Sequence, residues 1–309
     1  MIPADAVTVW RFVDGKPGHD RQSAGLVRAL QERRPCATRT CSVGPAARVL
    51  VDLLLGRSPV TDAVPRPDIA VGAGHATHLP LLAARRATGC AAIVLMKPGL
   101  PLGWFDLCLV PRHDHVGSSD HVVETEGAIN PIIHTPEKTP GTGMILLGGP
   151  SKHYDWDSEA VLRQIRAVLE KNAATHWQIT SSRRTPAEFM AELAPLAGER
   201  VRLAPHTECP PGWLDRELPR QEQAWVSPDS VSMVYEAISA GARVGLFDLP
   251  AQRADKITRA IDELCAAGMA TPFSLWREGR VLSTPPRILN EADRCAEIIS
   301  DRFLTPHLL

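Results

Sequence analysis

Short, unbroken apolar runs recur along this chain, each followed by a turn and then an amphipathic stretch, and that rhythm leaves few folds open. VTVWRF (7–12), CATRTCS (36–42), PDIAVGAG (67–74), CAAIVL (90–95), FDLCLVP (105–111) and HVVETEG (121–127) read as strands of a first half. GMILLGG (143–149), THWQIT (175–180), VRLAP (201–205), QAWVS (223–227) and ARVGLFDL (242–249) repeat the pattern in a second. Most of these runs are continuous in Val, Ile and Leu rather than alternating with polar residues. Such strands suit a parallel sheet covered on both faces by crossover helices. Helices are expected over 22–33, 157–172, 186–196, 231–240 and 291–303. The last has Ala292, Ala296, Ile299 and Phe303 on one side. The polar, Pro-rich HTPEKTPGTG (134–143) is the expected linker. Two βαβ domains in series are the economical reading.

Composition narrows the function. At 309 residues there is room for two domains, and 44% hydrophobic with 22% charged residues is an ordinary globular balance. A formal net charge of −1 gives no global attraction to nucleic acid. No apolar run approaches the roughly 20 residues of a spanning helix. The first twelve residues do not read as a signal peptide, so the expected location is cytoplasmic. VLVDLLLGR (49–57) is apolar enough to consider for peripheral membrane contact, although a buried or interdomain helix is its expected home. The seven cysteines form no Cys-x-x-Cys pair and are expected to be free thiols that pack as small hydrophobes.

In an open parallel sheet, ligands sit beyond the carboxyl ends of the strands, so the loops after strands carry the functional reading. In DGKPGHDRQSAGL (14–26), Gly15 and Gly18 let backbone approach a ligand, while Asp14, Lys16, His19 and Gln22 bring polar groups to the same mouth. The G-K-[ST] ending of a Walker loop is missing, as is GxGxxG. In LLGGPSKHYDW (146–156), Gly148, Gly149 and Ser151 offer N–H groups and a hydroxyl to phosphate oxygens. ITSSRRTP (179–186) adds Ser181, Ser182, Arg183 and Arg184, a set able to neutralise a phosphate. In WVSPDSVSMVYEAISAGARVGLFD (225–248), Asp229, Ser230 and Ser232 open a helix whose N–H groups suit a diphosphate, and Glu236 can accept both hydroxyls of a ribose. His75 and His78, at i, i+3, and His113-Asp114-His115 raise a metal site. Neither cluster has an obvious carboxylate or cysteine companion at ligand spacing, so no metal is expected.

DGKPGHDRQSAGL, GAGHATH, FDLCLVPRHD, ITSSRRTP and SPDSVSMVYEAISAG together resemble the mitochondrial-fission ELM-type family, whose bacterial members often carry nucleoside-diphosphate-sugar labels. The resemblance spans roughly residues 7–250. More distantly, the second half is similar to GT-B glycosyltransferases and nucleotide-sugar 2-epimerases. That similarity implies an α/β chain with two Rossmann-like domains, parallel sheets facing a central cleft, and a final helix crossing back to the first domain. On this reading residues 1–136 form the acceptor-side domain, 137–288 the nucleotide-sugar-binding domain, and 289–309 the returning helix. The similarity further implies Ser230 and Ser232 at the donor diphosphate and Glu236 at the ribose. Lipid-linked N-acetylglucosaminyltransferases also carry glycines followed by a histidine in their N-terminal loop, which makes His19 the base candidate, with Asp14 the alternate.

The implied activity is an inverting, metal-independent glycosyl transfer from a nucleotide-sugar, with no further cofactor. Its expected partners are the nucleotide-sugar and a saccharide or lipid-linked acceptor. Two alternatives stand beside it: an epimerase or hydrolase of the nucleotide-sugar, and a non-catalytic scaffold that keeps the fold.

Overall fold

The computed structural model describes residues 6–60, 65–117 and 119–304. The chain divides into two compact units. One takes the chain up to Pro131 and again from Asn290, and the other is Ile132–Leu289.

The first unit is built on a six-stranded, all-parallel sheet in the order β2-β1-β3-β4-β5-β6. Its strands are β1 (Val7–Val13), β2 (Cys36–Ser42), β3 (Ile69–Ala73), β4 (Ala91–Leu95), β5 (Leu107–Pro111) and β6 (Val122–Thr125). Helices α1 (Pro17–Arg33), α2 (Ala46–Leu55) and α3 (His78–Thr88) make the first three crossovers. Alternate strand residues feed separate cores. Val9, Ile69, Val71, Ile93 and Leu107 pack with Leu26 and Leu30 of α1, while Trp10, Phe12, Ala70, Val94 and Cys108 pack with Leu81 of α3. Burial on both faces is why these strands read as continuous apolar runs. The last helix, α10 (Glu291–Ile299), buries Ala292, Cys295, Ala296 and Ile299 in the α1-side core. Arg33 of α1 fixes it through Asp293 at 2.7 Å and Glu297 at 3.3 Å.

The second unit repeats the plan with a six-stranded parallel sheet, order β12-β11-β10-β7-β8-β9. Its strands are β7 (Thr139–Leu146), β8 (His176–Thr180), β9 (Val201–Ala204), β10 (Gln221–Val226), β11 (Arg243–Leu246) and β12 (Thr271–Pro272). The helices are α4 (Ser158–Lys171), α5 (Ala187–Leu193), α6 (Trp213–Glu217), α7 (Val231–Ala240), α8 (Lys256–Ala266) and α9 (Phe273–Arg277).

Three expectations shift. Helix α1 starts five residues earlier than its apolar periodicity suggests, because Pro17 takes the first helical turn, where its fixed φ and missing N–H cost nothing. Gly18 and His19 therefore ride on the helix rather than in a loop. The stretch 134–143 is not a free linker, since from Thr139 it is strand. Lys138 reaches under α7 to the carbonyls of Pro219, at 2.7 Å, and Ala240. Burial lowers the Lys138 ammonium to about 8. A cation at those last carbonyls suits the negative end of α7. Helix α2 is buried on one side only: Val49 and Leu53 face the core, while Leu50, Val51, Leu54 and Leu55 lie 44–65% exposed.

Candidate active site at two sheet switch points

Each strand order reverses direction once, and there the loops diverge to leave a crevice. In the first sheet the reversal lies between β1 and β3, in the second between β7 and β10.

At the first, Asp14 follows β1 and turns inward, its side chain 3% exposed. It accepts hydrogen bonds from the Lys16 N–H at 3.1 Å and from His19 Nδ1 at 2.9 Å. Burial alone would raise the Asp14 carboxyl. The His19 hydrogen bond, the Lys16 N–H and the nearby Lys16 charge outweigh it and hold the group below its ordinary pKa. An ionised carboxylate only accepts, so His19 carries its proton on Nδ1 and presents the Nε2 lone pair. Asp14 is thus a hydrogen-bond partner that orients His19. The arrangement depends on Gly74 after β3, where φ is +84° and an added Cβ would lie 2.3 Å from His19 Cε1 and Nδ1. Lys16 and Gly18 are exposed, and Gly15 takes the left-handed turn that brings the chain into α1.

Beside this mouth, His75 and His78 stack edge to face with centroids 5.2 Å apart. His78 is buried against Phe105. Burial, helped by His75, lowers its pKa to about 4. Among the described residues no three His, Cys, Asp or Glu side chains cluster with the geometry to hold a metal ion.

At the second switch point, Gly148 and Gly149 leave β7 and meet the segment after β10. The Gly148 N–H donates to Ser227 Oγ at 2.7 Å and the Gly149 N–H to Asp229 Oδ2 at 3.0 Å. A Cβ on Gly148 would lie 2.1 Å from Asp229 Oδ2, and one on Gly149 2.0 Å from the Arg184 carbonyl oxygen. These glycines serve close approach of protein to protein, so the two N–H groups expected to face a phosphate are already engaged. Arg184 is likewise committed: its guanidinium lies 2.7 Å from Asp229 Oδ2 and donates to the carbonyls of Gly149, Pro150 and Asp229. The Asp229 side chain is wholly buried, with no hydrogen-bond partner at Oδ1. Burial raises its pKa against the pull of Arg184, Ser227 and the Gly149 N–H.

The other predicted residues divide. Ser181 Oγ is 3.0 Å from His206 Nδ1 and accepts the His206 N–H, which ties β8 to the segment after β9. Ser151 Oγ accepts the N–H groups of His153 and Tyr154, a local turn. Arg183 is exposed, with no hydrogen bond or ion pair among the described residues. Ser230 is the N-cap of α7, yet its side chain makes no capping hydrogen bond, and Ser232 is exposed in the first turn. The Ser230 side chain therefore leaves the first N–H groups of α7 uncapped, and such groups suit an anion. Glu236 is buried farther along α7. Among the described residues, Arg183, Ser230 and Ser232 are the predicted second-unit side chains that make no hydrogen bond or ion pair. Ser227 and Thr185 were not singled out in the sequence. Ser227 holds Gly148, and Thr185 Oγ1 accepts the Ser182 N–H at 2.8 Å. The sequence signal for Ser227 is its place directly after an apolar run, while Thr185 lies past the polar SSRR stretch and carries no such signal.

The solved structures of similar fold include the UDP-GlcNAc 2-epimerase from Methanocaldococcus jannaschii, with 11% identity over 96% of this chain and 100% of that one, at a TM-score of 0.56. Another is the UDP-GlcNAc 2-epimerase from Neisseria meningitidis bound to UDP-GlcNAc, with 13% identity over 96% of this chain and 100% of that one, at 0.53. At such identities the likeness establishes the fold, a two-domain α/β arrangement of the GT-B kind. No curated protein matches the chain. The sequence profile of a family described as Mitochondrial fission ELM1 matches residues 17–303, which takes in His19 and Gly74 of the first switch point and the whole of the second. The chain belongs to the Mitochondrial fission ELM1 family.

Proposed function

We propose that the protein is a nucleotide-sugar-dependent enzyme, a metal-independent inverting glycosyltransferase. The observation that supports it is the location of the polar chemistry. Both parallel sheets gather theirs at the switch point, an anion site in one unit and a carboxylate-oriented histidine in the other. The donor diphosphate lies at the α7 N-terminus with Ser230, Ser232 and Arg183. The Gly148–Gly149 turn and Arg184, held by Asp229, shape the floor beneath it, and Glu236 takes the ribose. Negative charge growing on the leaving diphosphate is stabilised by the helix end and the arginine. His19 Nε2 removes the acceptor hydroxyl's proton, with Asp14 stabilising the imidazolium that forms. Lys16, Gly15 and Gly18 line the same mouth.

A thermal-shift screen against UDP, GDP, CDP, ADP and their sugars tests this. A true ligand at a hundredfold excess over its dissociation constant stabilises by about 2.7 kcal/mol. An Arg183→Ala protein should lose most of the shift. No shift with any nucleotide would leave only the non-catalytic scaffold. The 2-epimerases of similar fold favour one second reading, action on the nucleotide-sugar itself. Altered or released sugar in the absence of any acceptor would establish it.

The acceptor side is proposed to meet a membrane surface through α2. No helix among the described residues is long and apolar enough to cross a bilayer. Leu54 and Leu53 border a cavity of about 880 Å³ lined also by Leu82, Trp104 and Arg86. An apolar helix face with arginines and a half-exposed tryptophan suits the interface of an anionic leaflet. Flotation with phosphatidylglycerol vesicles should recover the wild-type protein, and Leu50→Glu/Leu54→Glu should reduce recovery at least about tenfold. Wild-type protein that stays with the unbound fraction rules this contact out.

A further inference from the structure

The turn after β3 is held from several sides. Gly74, left-handed at φ +84°, packs on His19, and the wholly buried Thr77 donates from Oγ1 to the Gly74 carbonyl at 2.8 Å. Gly72 makes room for that threonine, since an added Cβ there would lie 2.7 Å from Thr77 Cβ and Oγ1. His75 and His78 are thereby placed at the start of α3. Strand β3 pairs with β1, and paired strands lie about 4.8 Å apart, so this turn flanks the mouth that holds His19.

The turn after β4 closes on the same place. Met96 takes a left-handed φ of +73°, which residues with a Cβ rarely adopt, while its N–H donates to the Leu109 carbonyl at 2.9 Å. Three residues on, an added Cβ at Gly99 would lie 3.0 Å from His75 Nδ1. Lys97 ties this turn to the one after β5 by donating to the Asp114 carbonyl at 3.3 Å. Strain of this kind persists only where the surroundings impose it, and it gathers at binding sites.

His78 is the unusual side chain between these turns. It is 4% exposed and lies between two rings, His75 at 5.2 Å and Phe105 at 5.5 Å between centroids. Its imidazole makes no hydrogen bond among the described residues. Buried polar groups are nearly always paired, and one that is not weakens the fold unless a ligand or water completes it. Burial, with His75 adding to it, lowers the pKa to about 4, so the ring is neutral. A neutral imidazole has one N–H to donate and one lone pair to accept. A hydroxyl answers both. A phosphate or carboxylate only accepts, and would call for the cation that burial disfavours.

We propose that His78, with His75 bordering it, binds a hydroxyl of the acceptor, and that the acceptor group held there is a neutral sugar. This assignment rests on the nucleotide-sugar reading above and names the acceptor class of that site. His78 holds one hydroxyl of the sugar while His19, beyond Gly74, takes the proton of the reacting one.

The test follows the His78 ring by imidazole NMR of the whole protein, its signal identified by its absence from His78→Phe. N-acetylglucosamine, glucose and methyl phosphate are the probes. Either sugar should shift that signal in the wild-type protein, and methyl phosphate should neither shift it nor displace the sugar. His78→Phe keeps a ring against Phe105 and removes both nitrogens, so sugar binding should weaken about three- to tenfold, the worth of one neutral hydrogen bond. Its melting temperature should stay level or rise, because a buried polar group that no protein group satisfies is gone. Should His78→Phe not fold, His78→Leu supplies the same readouts. No response of His78 to either sugar, equal sugar affinity in the variant, or displacement of the sugar by methyl phosphate overturns this inference alone, with nucleotide binding intact. No nucleotide binding by the wild-type protein overturns the nucleotide-sugar reading and the acceptor role with it.

Discussion

With His19 as the proposed base, His19→Gln should lower turnover by about 10²- to 10⁴-fold and leave nucleotide affinity within about twofold. Affinity is spared because His19 belongs to the first unit's switch point, while the proposed donor groups belong to the second. Asp14→Asn should cost a similar factor without removing the imidazole. An amide can donate to Nδ1, which moves the ring proton to Nε2 and leaves no lone pair to accept the acceptor's proton. Gly74→Ala is the third member of the set. Its methyl group would lie 2.3 Å from the ring at a left-handed φ of +84°, so it should displace His19 and lower the melting temperature as well. The three variants are read by steady-state rates with the nucleotide-sugar at saturation. Full activity in His19→Gln would place the base elsewhere.

Arg184→Ala should destabilise the second unit by about 2 kcal/mol at pH 8, with the half-exposure of the arginine already discounted from the 3–5 kcal/mol of a fully buried pair. The cost arises at Asp229. Its wholly buried carboxylate would keep the Gly149 N–H and Ser227 but lose the guanidinium, with Oδ1 still unpartnered. The sign of the pH dependence follows from the direction of its shift. Burial raises the folded pKa of Asp229 above the unfolded value, so the native state binds the extra proton. Stability associated with this group is therefore greatest at low pH and declines as pH rises through the interval up to the folded pKa. Removing Arg184 raises that pKa further and extends the decline toward neutrality. The gap in melting temperature between wild type and variant should narrow as pH falls from 8 to 5. Asp229→Asn combined with Arg184→Ala should recover part of the loss, since no charge is then buried. A pH-independent gap would mean that the arginine acts through its carbonyl contacts alone.

These expectations rest on residues of different legibility. The strands could be read because burial on both faces stamps a run such as IAVGA or LCLVP directly onto the sequence. Gly148 and Gly149 read in the sequence as a turn open to phosphate, and the fold fills it with protein groups. Their sequence says that backbone or side chain must come close, but only the fold shows that Asp229 and the Arg184 carbonyl are what come close. Ser151 and Ser181 were chosen as hydroxyls beyond strands, and each hydroxyl proves to be engaged by a neighbouring protein group, a local turn for one and His206 for the other. The α2 stretch was misread because an apolar helix records hydrophobicity and not what covers it. Leu50, Leu54 and Leu55 are exposed although their composition is that of a core, while Leu53 packs against the first unit's core.

By itself the sequence determined the two parallel α/β units, the strand order in time, and which turns would carry polar chemistry, because periodicity and composition are local consequences of burial. It also brought Asp14 and His19 within five residues of each other, close enough to suggest one mouth. The tertiary structure decided what distance along the chain cannot encode. It set Asp14 in hydrogen-bond contact with His19, closed Asp229 over Gly149 from 80 residues away, and set His153 against Asp255 across an intervening strand. Such pairings are fixed by the order in which strands lie side by side, and that order is a property of the packed sheet, not of any one segment.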